Sequence, residues 1–309
     1  MNLNFKEKRI LVTGGAGFIG SHLVKELVSK EAKIYLLEDT NTSFWRLKDC
    51  LDYIVIKRIK SWRSGDLIKV IRRIKPEIIF HLRANVKRRI NEKNSSVLFQ
   101  VNYEQTKNFI SAVDFSHLKA FVHIGTIAEY GISPNPFIES NLPKPDSLYG
   151  KSKLAASFWL ENLIRKHNYP VVILRLAVVY GPYQKPHDYL IPNVIKKCLL
   201  GEDFHITSPG LQKRSPMFID DTINGLLKAA LEKKAYGHLI NLGSCESYGI
   251  LEIANIINEK LGYPINIVTE NQVSVSKQTD HCSYDIAKAK SVLSWVPEIN
   301  LNEGISRTL

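Results

Sequence analysis

The chain has 309 residues, 44% hydrophobic and 23% charged, a composition that excludes a disordered chain and leaves room for one large or two moderate domains. Its 42 Lys and Arg against 30 Asp and Glu give a formal charge of +12, spread through Lys57–Lys60, Arg72–Lys75 and Lys87–Arg89 without a nucleic-acid-binding motif, so nucleic acid is not an expected partner. Four scattered cysteines (Cys50, Cys198, Cys245, Cys282) form no C-x-x-C pair, which argues against a zinc site or disulfide framework and fits a reducing compartment.

Arg9–Val12 reads as a short apolar strand, followed by a glycine turn and a helical pattern from Ser21 to about Lys30. Gly15, Gly17 and Gly20 satisfy G-x-G-x-x-G, and Gly14, Gly17 and Gly20 satisfy G-x-x-G-x-x-G. Between a strand and a helix, such glycines let the chain turn sharply and let backbone N–H groups approach a pyrophosphate. The positive end of the helix dipole then faces the anion. A second strand, Lys33–Leu37, ends at Glu38, eighteen residues beyond Gly20. A carboxylate there accepts hydrogen bonds from the adenosine ribose of NAD and repels the 2′-phosphate of NADP. Arg46 could fold back to accept that phosphate, so NADP stays open as the second choice.

Further apolar runs occur at Tyr53–Ile56, Ile78–Leu82, Phe121–Gly125 and Val171–Leu176, separated by helical patterns. This alternation predicts an α/β protein built on a doubly wound parallel sheet of the Rossmann type. Ligands then meet residues just beyond the strands: Gly14–Gly20, Glu38, Arg83, Thr126 and Ala177–Gly181. After Tyr180-Gly181-Pro182 the pattern breaks into short, proline-punctuated elements. The expected division is a dinucleotide-binding domain over 1–180 and a smaller α/β substrate-binding part over 181–309, partly interleaved with it. Asp220-Asp221 is expected to N-cap a helix over Ile223–Leu231, His238–Leu242 to return as a strand, and Ile250–Leu261 to form a helix closed by Gly262. The most apolar stretch, Val171–Tyr180, is strand-length and interrupted by Arg175, so no membrane span is expected. Met1–Lys8 lacks an apolar signal region, and a cytoplasmic location is expected.

Thr126 ends the fifth strand, while Tyr149 and Lys153 stand at i and i+4 near the start of a helix and project from one face. An unperturbed tyrosine titrates near pH 10, and a lysine ammonium one turn away favours its phenolate. Thr126 can hold a substrate oxygen while Tyr149 moves the proton and a nicotinamide moves hydride. Taken alone, Y-x-x-x-K is weak; the glycine turn and Thr126 give it context.

With these motifs in place, the chain resembles the extended short-chain dehydrogenase/reductases that act on nucleotide-linked sugars as epimerases, dehydratases or ketoreductases. The resemblance runs from Thr13–Gly20 through His81-Leu82, Asn102–Thr106, Gly125–Gly131, Tyr149–Lys153, Leu174–Pro182 and Gly210–Asp221 to Trp295–Pro297. It implies a catalytic set of Thr126, Tyr149 and Lys153 supported by Asn102. Cofactor contacts are implied from Gly14, Gly17, Phe18, Ile19, Gly20, Glu38, Leu82, Arg83, Tyr149 and Lys153, the last on the nicotinamide ribose. Thr126 and Arg214 are the implied substrate contacts, Arg214 on the sugar-nucleotide diphosphate. No metal is implied. The resemblance also implies a homodimer, paired through helices containing Asn102–Phe115 and Tyr149–Asn168; packing of Leu154, Phe158, Leu160 and Leu163 against the protein's own sheet is the competing use of that stripe.

Departures from the family pattern are informative. Arg83 stands where small residues are usual; a guanidinium there needs a partner among the cofactor pyrophosphate, the substrate diphosphate or a carboxylate such as Glu38, and a phosphate contact is the expectation, with extension into solvent as the alternative. The third strand usually ends in an acid that meets adenine, whereas Lys57–Lys60 is basic. Ala177-Val178-Val179 replaces an asparagine expected on the substrate diphosphate. Ala128 occupies the position of the dehydratases' catalytic acid, which sets this chain furthest from the 4,6-dehydratases. Thr42–Leu47 and Glu129 resemble a subgroup containing reductases of 4-keto-6-deoxy sugar nucleotides, whereas Glu38 suits a 4-epimerase with tightly held NAD. The reading placed first is the reductase, ahead of the 4-epimerase. A non-catalytic NAD-binding sensor or scaffold is the third class, and it has no need of an acid-base pair.

Overall fold

The computed structural model describes residues 3–86, 95–186, 189–262, 264–270 and 283–309. Lys87–Arg89 and Cys282 of the sequence reading lie outside them. The strands are β1 (Arg9–Thr13), β2 (Lys33–Asp39), β3 (Ile54–Ile59), β4 (Ile78–His81), β5 (Ala120–Thr126), β6 (Val171–Leu176), β7 (Val179–Tyr180), β8 (Phe204–Ile206), β9 (Lys213–Arg214), β10 (Met217–Phe218), β11 (Leu239–Leu242), β12 (Tyr248–Gly249) and β13 (Ile267–Thr269). The α-helices are α1 (Phe18–Ser29), α2 (Ser64–Ile74), α3 (Ser95–Phe99), α4 (Gln105–Ser111), α5 (Leu148–His167), α6 (Leu190–Leu200), α7 (Ile219–Leu231), α8 (Ile250–Leu261), α9 (Ala287–Leu293) and α10 (Leu301–Thr308).

Seven strands form one parallel sheet in the order β11-β6-β5-β4-β1-β2-β3. Every residue of β4 and of β6 is buried, as a sheet covered on both faces requires. Alternation along the strands divides the core. Ile10, Val12, Leu36, Phe80, Val122 and Leu174 face one side with Leu23, Val24 and Leu27 of α1 and Leu226 and Leu227 of α7. Leu11, Leu37, Ile79, Phe121 and Ile173 face the other with Leu67 and Ile71 of α2, Phe109 of α4 and Leu160 of α5. The C-terminal part supplies β11 to this sheet, beside β6.

Three expectations need correction. β3 runs to Ile59 rather than stopping at Ile56, because its backbone keeps pairing with β2 through Glu38↔Arg58 and Asp39↔Ile59. An edge strand can carry Lys57 and Arg58 where a central one could not. The helix expected over Asn102–Phe115 ends at Ser111 and passes through a π turn, Gln100–Glu104, that contains Asn102. Asp220 and Asp221 lie inside the first turn of α7 rather than before it. There Asp221 accepts hydrogen bonds from the Glu298 and Ile299 N–H groups at 2.9 and 3.1 Å, tying the chain end to α7. Among the described residues, no helix is long and apolar enough to cross a membrane.

Candidate active site

A cavity of about 760 Å³ opens beyond the carboxyl ends of β1, β2, β4 and β5, where the strand order reverses between β1 and β4. Its lining includes every residue of the implied set except Asn102. The glycine turn is shaped for a dinucleotide. Gly14 has φ +73°, and a Cβ there would stand 2.8 Å from the Arg83 nitrogen; a Cβ on Gly20 would stand 2.1 Å from the Gly14 oxygen. The turn therefore packs directly on the residues that follow β4, with no side chain over the start of α1. Gly17 caps α1 without any side-chain hydrogen bond, which leaves backbone donors for a pyrophosphate.

Glu38 sits beside this turn, 6% exposed, with Oε1 accepting the Ala16 N–H at 3.2 Å. Burial raises its carboxyl to about 7, against the lowering effect of the Ala16 and Gly15 N–H groups and of Arg83. Arg46 is held by backbone carbonyls. Its Nε donates to the Tyr183 carbonyl at 3.1 Å and its Nη1 to the Ala16 carbonyl at 3.4 Å, with the guanidinium over Trp45. Arg58 on β3 donates to the carbonyls of Thr40 and Thr42 and so braces the loop after β2. Arg83 reaches neither the glycine turn nor Glu38 with its guanidinium; Nη2 donates to Asp39 Oδ2 at 2.9 Å. Asp39, rather than the Glu38 that the sequence suggests, is the carboxylate that meets Arg83.

Thr126 closes β5, and its Oγ1 accepts the Ala128 N–H at 3.3 Å, which leaves the hydroxyl proton for a substrate oxygen. Gly150 brings α5 onto this turn: a Cβ there would lie 2.2 Å from the Ala128 oxygen. Tyr149, next to Gly150, lines the same cavity as Thr126. Lys153, one turn on, is 3% exposed and donates from Nζ to the Ile124 carbonyl at 2.5 Å. Burial lowers its ammonium to about 8, partly offset by the Glu129 carboxylate. Asn102 lies behind these groups, fully buried. Its Oδ1 accepts the Asn85 N–H at 2.7 Å, and its Nδ2 donates to the Asn85 carbonyl and to Ser152 Oγ, both at 3.0 Å. It positions α5 against the segment after β4 and touches no cavity surface.

A buried ion pair, which the sequence does not announce, supports the catalytic strand end. Glu129, 0% exposed, accepts the Thr126 N–H with Oε1 at 2.9 Å and Arg175 Nε with Oε2 at 2.8 Å. The Arg175 guanidinium lies 4.4 Å from the Tyr130 ring, and Tyr130 donates its hydroxyl to Asn241 at 2.7 Å. β5, β6 and β11 are thus cross-linked beneath Thr126. At the far end of the cavity stand Leu176, Ala177, Val178, Val179, Gln184 and Arg214, the last on β9.

A parallel sheet that opens such a glycine turn into the reversal of its strand order is the architecture of dinucleotide-dependent oxidoreductases. This chain belongs to one family among them: residues 10–252 match the NAD dependent epimerase/dehydratase family, in line with the resemblance read from its motifs, and its cofactor is NAD. It is 27% identical to UDP-N-acetyl-alpha-D-glucosaminuronate decarboxylase of Bacillus cytotoxicus, with 98% of this chain and 97% of that one covered. Among solved structures it is similar to an epimerase of Methanothermobacter thermautotrophicus, with TM-score 0.90 and 25% identity over 99% of this chain and 92% of that one. It is also similar to UDP-glucuronic acid 4-epimerase of Bacillus cereus in complex with UDP-glucuronic acid and NAD, with TM-score 0.87 and 28% identity over 97% of each chain.

Titration should show tighter binding of NAD(H) than of NADP(H), and Glu38→Ala should weaken NAD binding and narrow the preference; equal or tighter NADPH binding by the parent chain would refute it. The folded protein also holds the Glu38 proton more tightly than the unfolded chain between pH 4.5 and about 7. Cofactor-free protein should therefore lose stability as pH rises through that window, and Glu38→Gln should abolish this loss in urea unfolding. Glu129→Gln should cost about 3 kcal/mol, because it leaves the Arg175 charge buried without its counterion. A cost under about 1 kcal/mol in the same assay would contradict that account.

Proposed function

We propose that the protein transfers hydride at a ring carbon of a nucleotide-linked sugar, with Thr126, Tyr149 and Lys153 as its catalytic set. The observation that carries this reading is their convergence on one cavity with the glycine turn and Glu38. NAD, when bound, supplies or accepts the hydride. Backbone donors of Gly14, Gly17, Phe18, Ile19 and Gly20 would hold its pyrophosphate, with Leu82 and Arg83 closing the opposite wall. Thr126 Oγ1 orients the substrate oxygen, and the Tyr149 hydroxyl gives or takes its proton. Lys153, held by the Ile124 carbonyl, supplies positive charge behind Tyr149 and a donor for the nicotinamide ribose. We assign the part beyond Gly181 to substrate binding, with Arg214 on the diphosphate.

The first reading of the net reaction is reduction of a 4-keto-6-deoxy sugar nucleotide. Ile127 and Ala128, which come after Thr126 in the cavity wall, carry no acid for an elimination step, and the apolar run Leu176–Val179 suits an uncharged sugar end. The second reading is 4-epimerisation, and the buried Glu38, suited to firmly held NAD, favours it.

Heat release of bound nucleotide from purified protein, followed by hydride-transfer assays with keto and hydroxy sugar nucleotides, separates them. Consumption of exchangeable NADH with a keto sugar supports the reductase; stoichiometric bound NAD with interconversion of 4-epimers supports the epimerase. In either case Tyr149→Phe should lower turnover by orders of magnitude while cofactor binding persists, and more than about a tenth of the activity would refute the acid-base role.

The protein is further proposed to form a homodimer through the helices carrying Asn102 and Tyr149. Leu160 is buried against the sheet, but Phe158 is 44% exposed on α5, so that stripe is divided between the core and an outward face. Light scattering at micromolar concentration should give twice the chain mass; a monomeric mass would exclude the dimer.

A further inference from the structure

The proposed function puts the pyrophosphate at the start of α1, the Glu38 carboxylate beside that turn suits the adenosine ribose, and the placement of adenine rests on that reading. Adenine is bonded to that same ribose, so it must lie beside Glu38, on the wall formed by Asp39, Thr42, Ser43 and Arg83. The family's usual acid is missing from this place. The basic stretch Lys57–Lys60 stands there instead, and its Arg58 is occupied with the Thr40 and Thr42 carbonyls.

Arg83 is held at that wall by two side-chain contacts. Its guanidinium rests on the Trp62 indole, 4.3 Å from carbon to ring centroid. Its Nη2 donates to Asp39 Oδ2 at 2.9 Å, and the indole Nε1 donates to the other oxygen of the same carboxylate at 2.6 Å. Trp62 is 5% exposed and lies behind the cavity surface, whereas the Arg83 side chain is 15% exposed and lines it. Trp62 lies on one side of the guanidinium and Asp39 holds one edge, and what remains exposed of Arg83 is part of the cavity lining.

We propose that the adenine ring of the dinucleotide stacks on the outward face of the Arg83 guanidinium, extending an indole–guanidinium–base ladder whose plane Asp39 fixes. A guanidinium is weakly hydrated and planar, and it stacks on nucleobases as readily as it forks to phosphates. Asp39 already pairs with its charge, which reduces what a phosphate gains from Arg83 and leaves stacking on its surface unaffected.

The test uses protein stripped of bound nucleotide, titrated with ADP-ribose by calorimetry. Arg83→Ala and Arg83→Lys should both weaken binding about tenfold, because lysine keeps the charge and loses the plane. That ratio should persist between about 50 and 300 mM salt, since stacking is not screened as an ion contact is. Recovery of parent affinity in Arg83→Lys, or a ratio that collapses with salt, would show a phosphate contact and overturn the stack. Unchanged affinity in Arg83→Ala overturns it too. Asp39→Asn leaves the guanidinium in place but unties its plane; it should cost ADP-ribose several-fold in affinity, and no cost would overturn the bracing by Asp39. No sugar nucleotide and no turnover enters these titrations, so their failure is distinct from failure of the proposed reaction.

Discussion

The position of β1 between β2 and β4 is the constraint that determines the site. Right-handed crossovers lead the chain from β1 outward to β3 on one side, then back across to β4, β5, β6 and β11 on the other. The connections leave β1 and β4 in opposite directions, so no helix covers the gap at their carboxyl ends. His81 fastens this seam from below. Its Nδ1 pairs with Thr13 Oγ1 at 2.7 Å and its Nε2 with Thr106 Oγ1 at 3.0 Å, joining β1, β4 and α4. Complete burial and the nearby Lys153 and Arg83 charges keep that imidazole neutral, which allows one nitrogen to donate and the other to accept. Gly14 then crosses Arg83 closely enough that only a glycine fits. The seam is fixed before any ligand arrives.

The second constraint is electrostatic. Lys153 and Arg175 place two cations in the interior beside β5, and Glu129 stands between them in effect if not in contact with both. A buried pair of this kind is often no more stabilising than apolar residues of the same volume. Here its geometry explains its presence better than its energy. One carboxylate oxygen is spent on the Thr126 backbone and the other on Arg175, so the charge that offsets Lys153 also sets the strand end. An apolar substitute could fill the volume but could neither accept the Thr126 N–H nor offset the two buried cations.

Local features of the site are legible in the sequence, and cross-chain ones are not. The strand–glycine turn–helix unit, the Tyr149–Lys153 spacing and the position of Thr126 depend on neighbours within about seven residues, and the structure has these elements where their patterns predict them. The Gly262 stop of α8 is equally local. By contrast, Glu129 with Arg175 and Asp221 with Glu298 are contacts between residues dozens of positions apart, and nothing in either segment names its partner. The partner of Arg83 is hidden for a related reason: Glu38 is nearer the glycine turn in sequence logic, but successive side chains of β2 alternate in direction, and Asp39 is the one that faces Trp62. The full length of β3 is hidden because its last residues are basic, and strand pairing at an edge depends on backbone groups that composition does not report.

These contacts bear on how deeply cofactor choice is built in. Arg83 lines the Glu38 end of the cavity, and Arg46 and Arg58 each bond to a carbonyl of its lining residues, so a simple count of charge would favour a 2′-phosphate there. Each is already engaged. Arg46 donates to two carbonyls, Arg58 to two more, and Arg83 to Asp39 while lying on Trp62. Recruiting any of them to a phosphate would break contacts that shape the loop after β2 or the wall after β4. Removal of the Glu38 carboxylate therefore takes away the repulsion without creating the attraction, since specificity is a difference between two affinities. Asp39 would still present its negative charge one residue further on. Preference for NAD thus rests on the commitment of the neighbouring cations as much as on the acid at the end of β2.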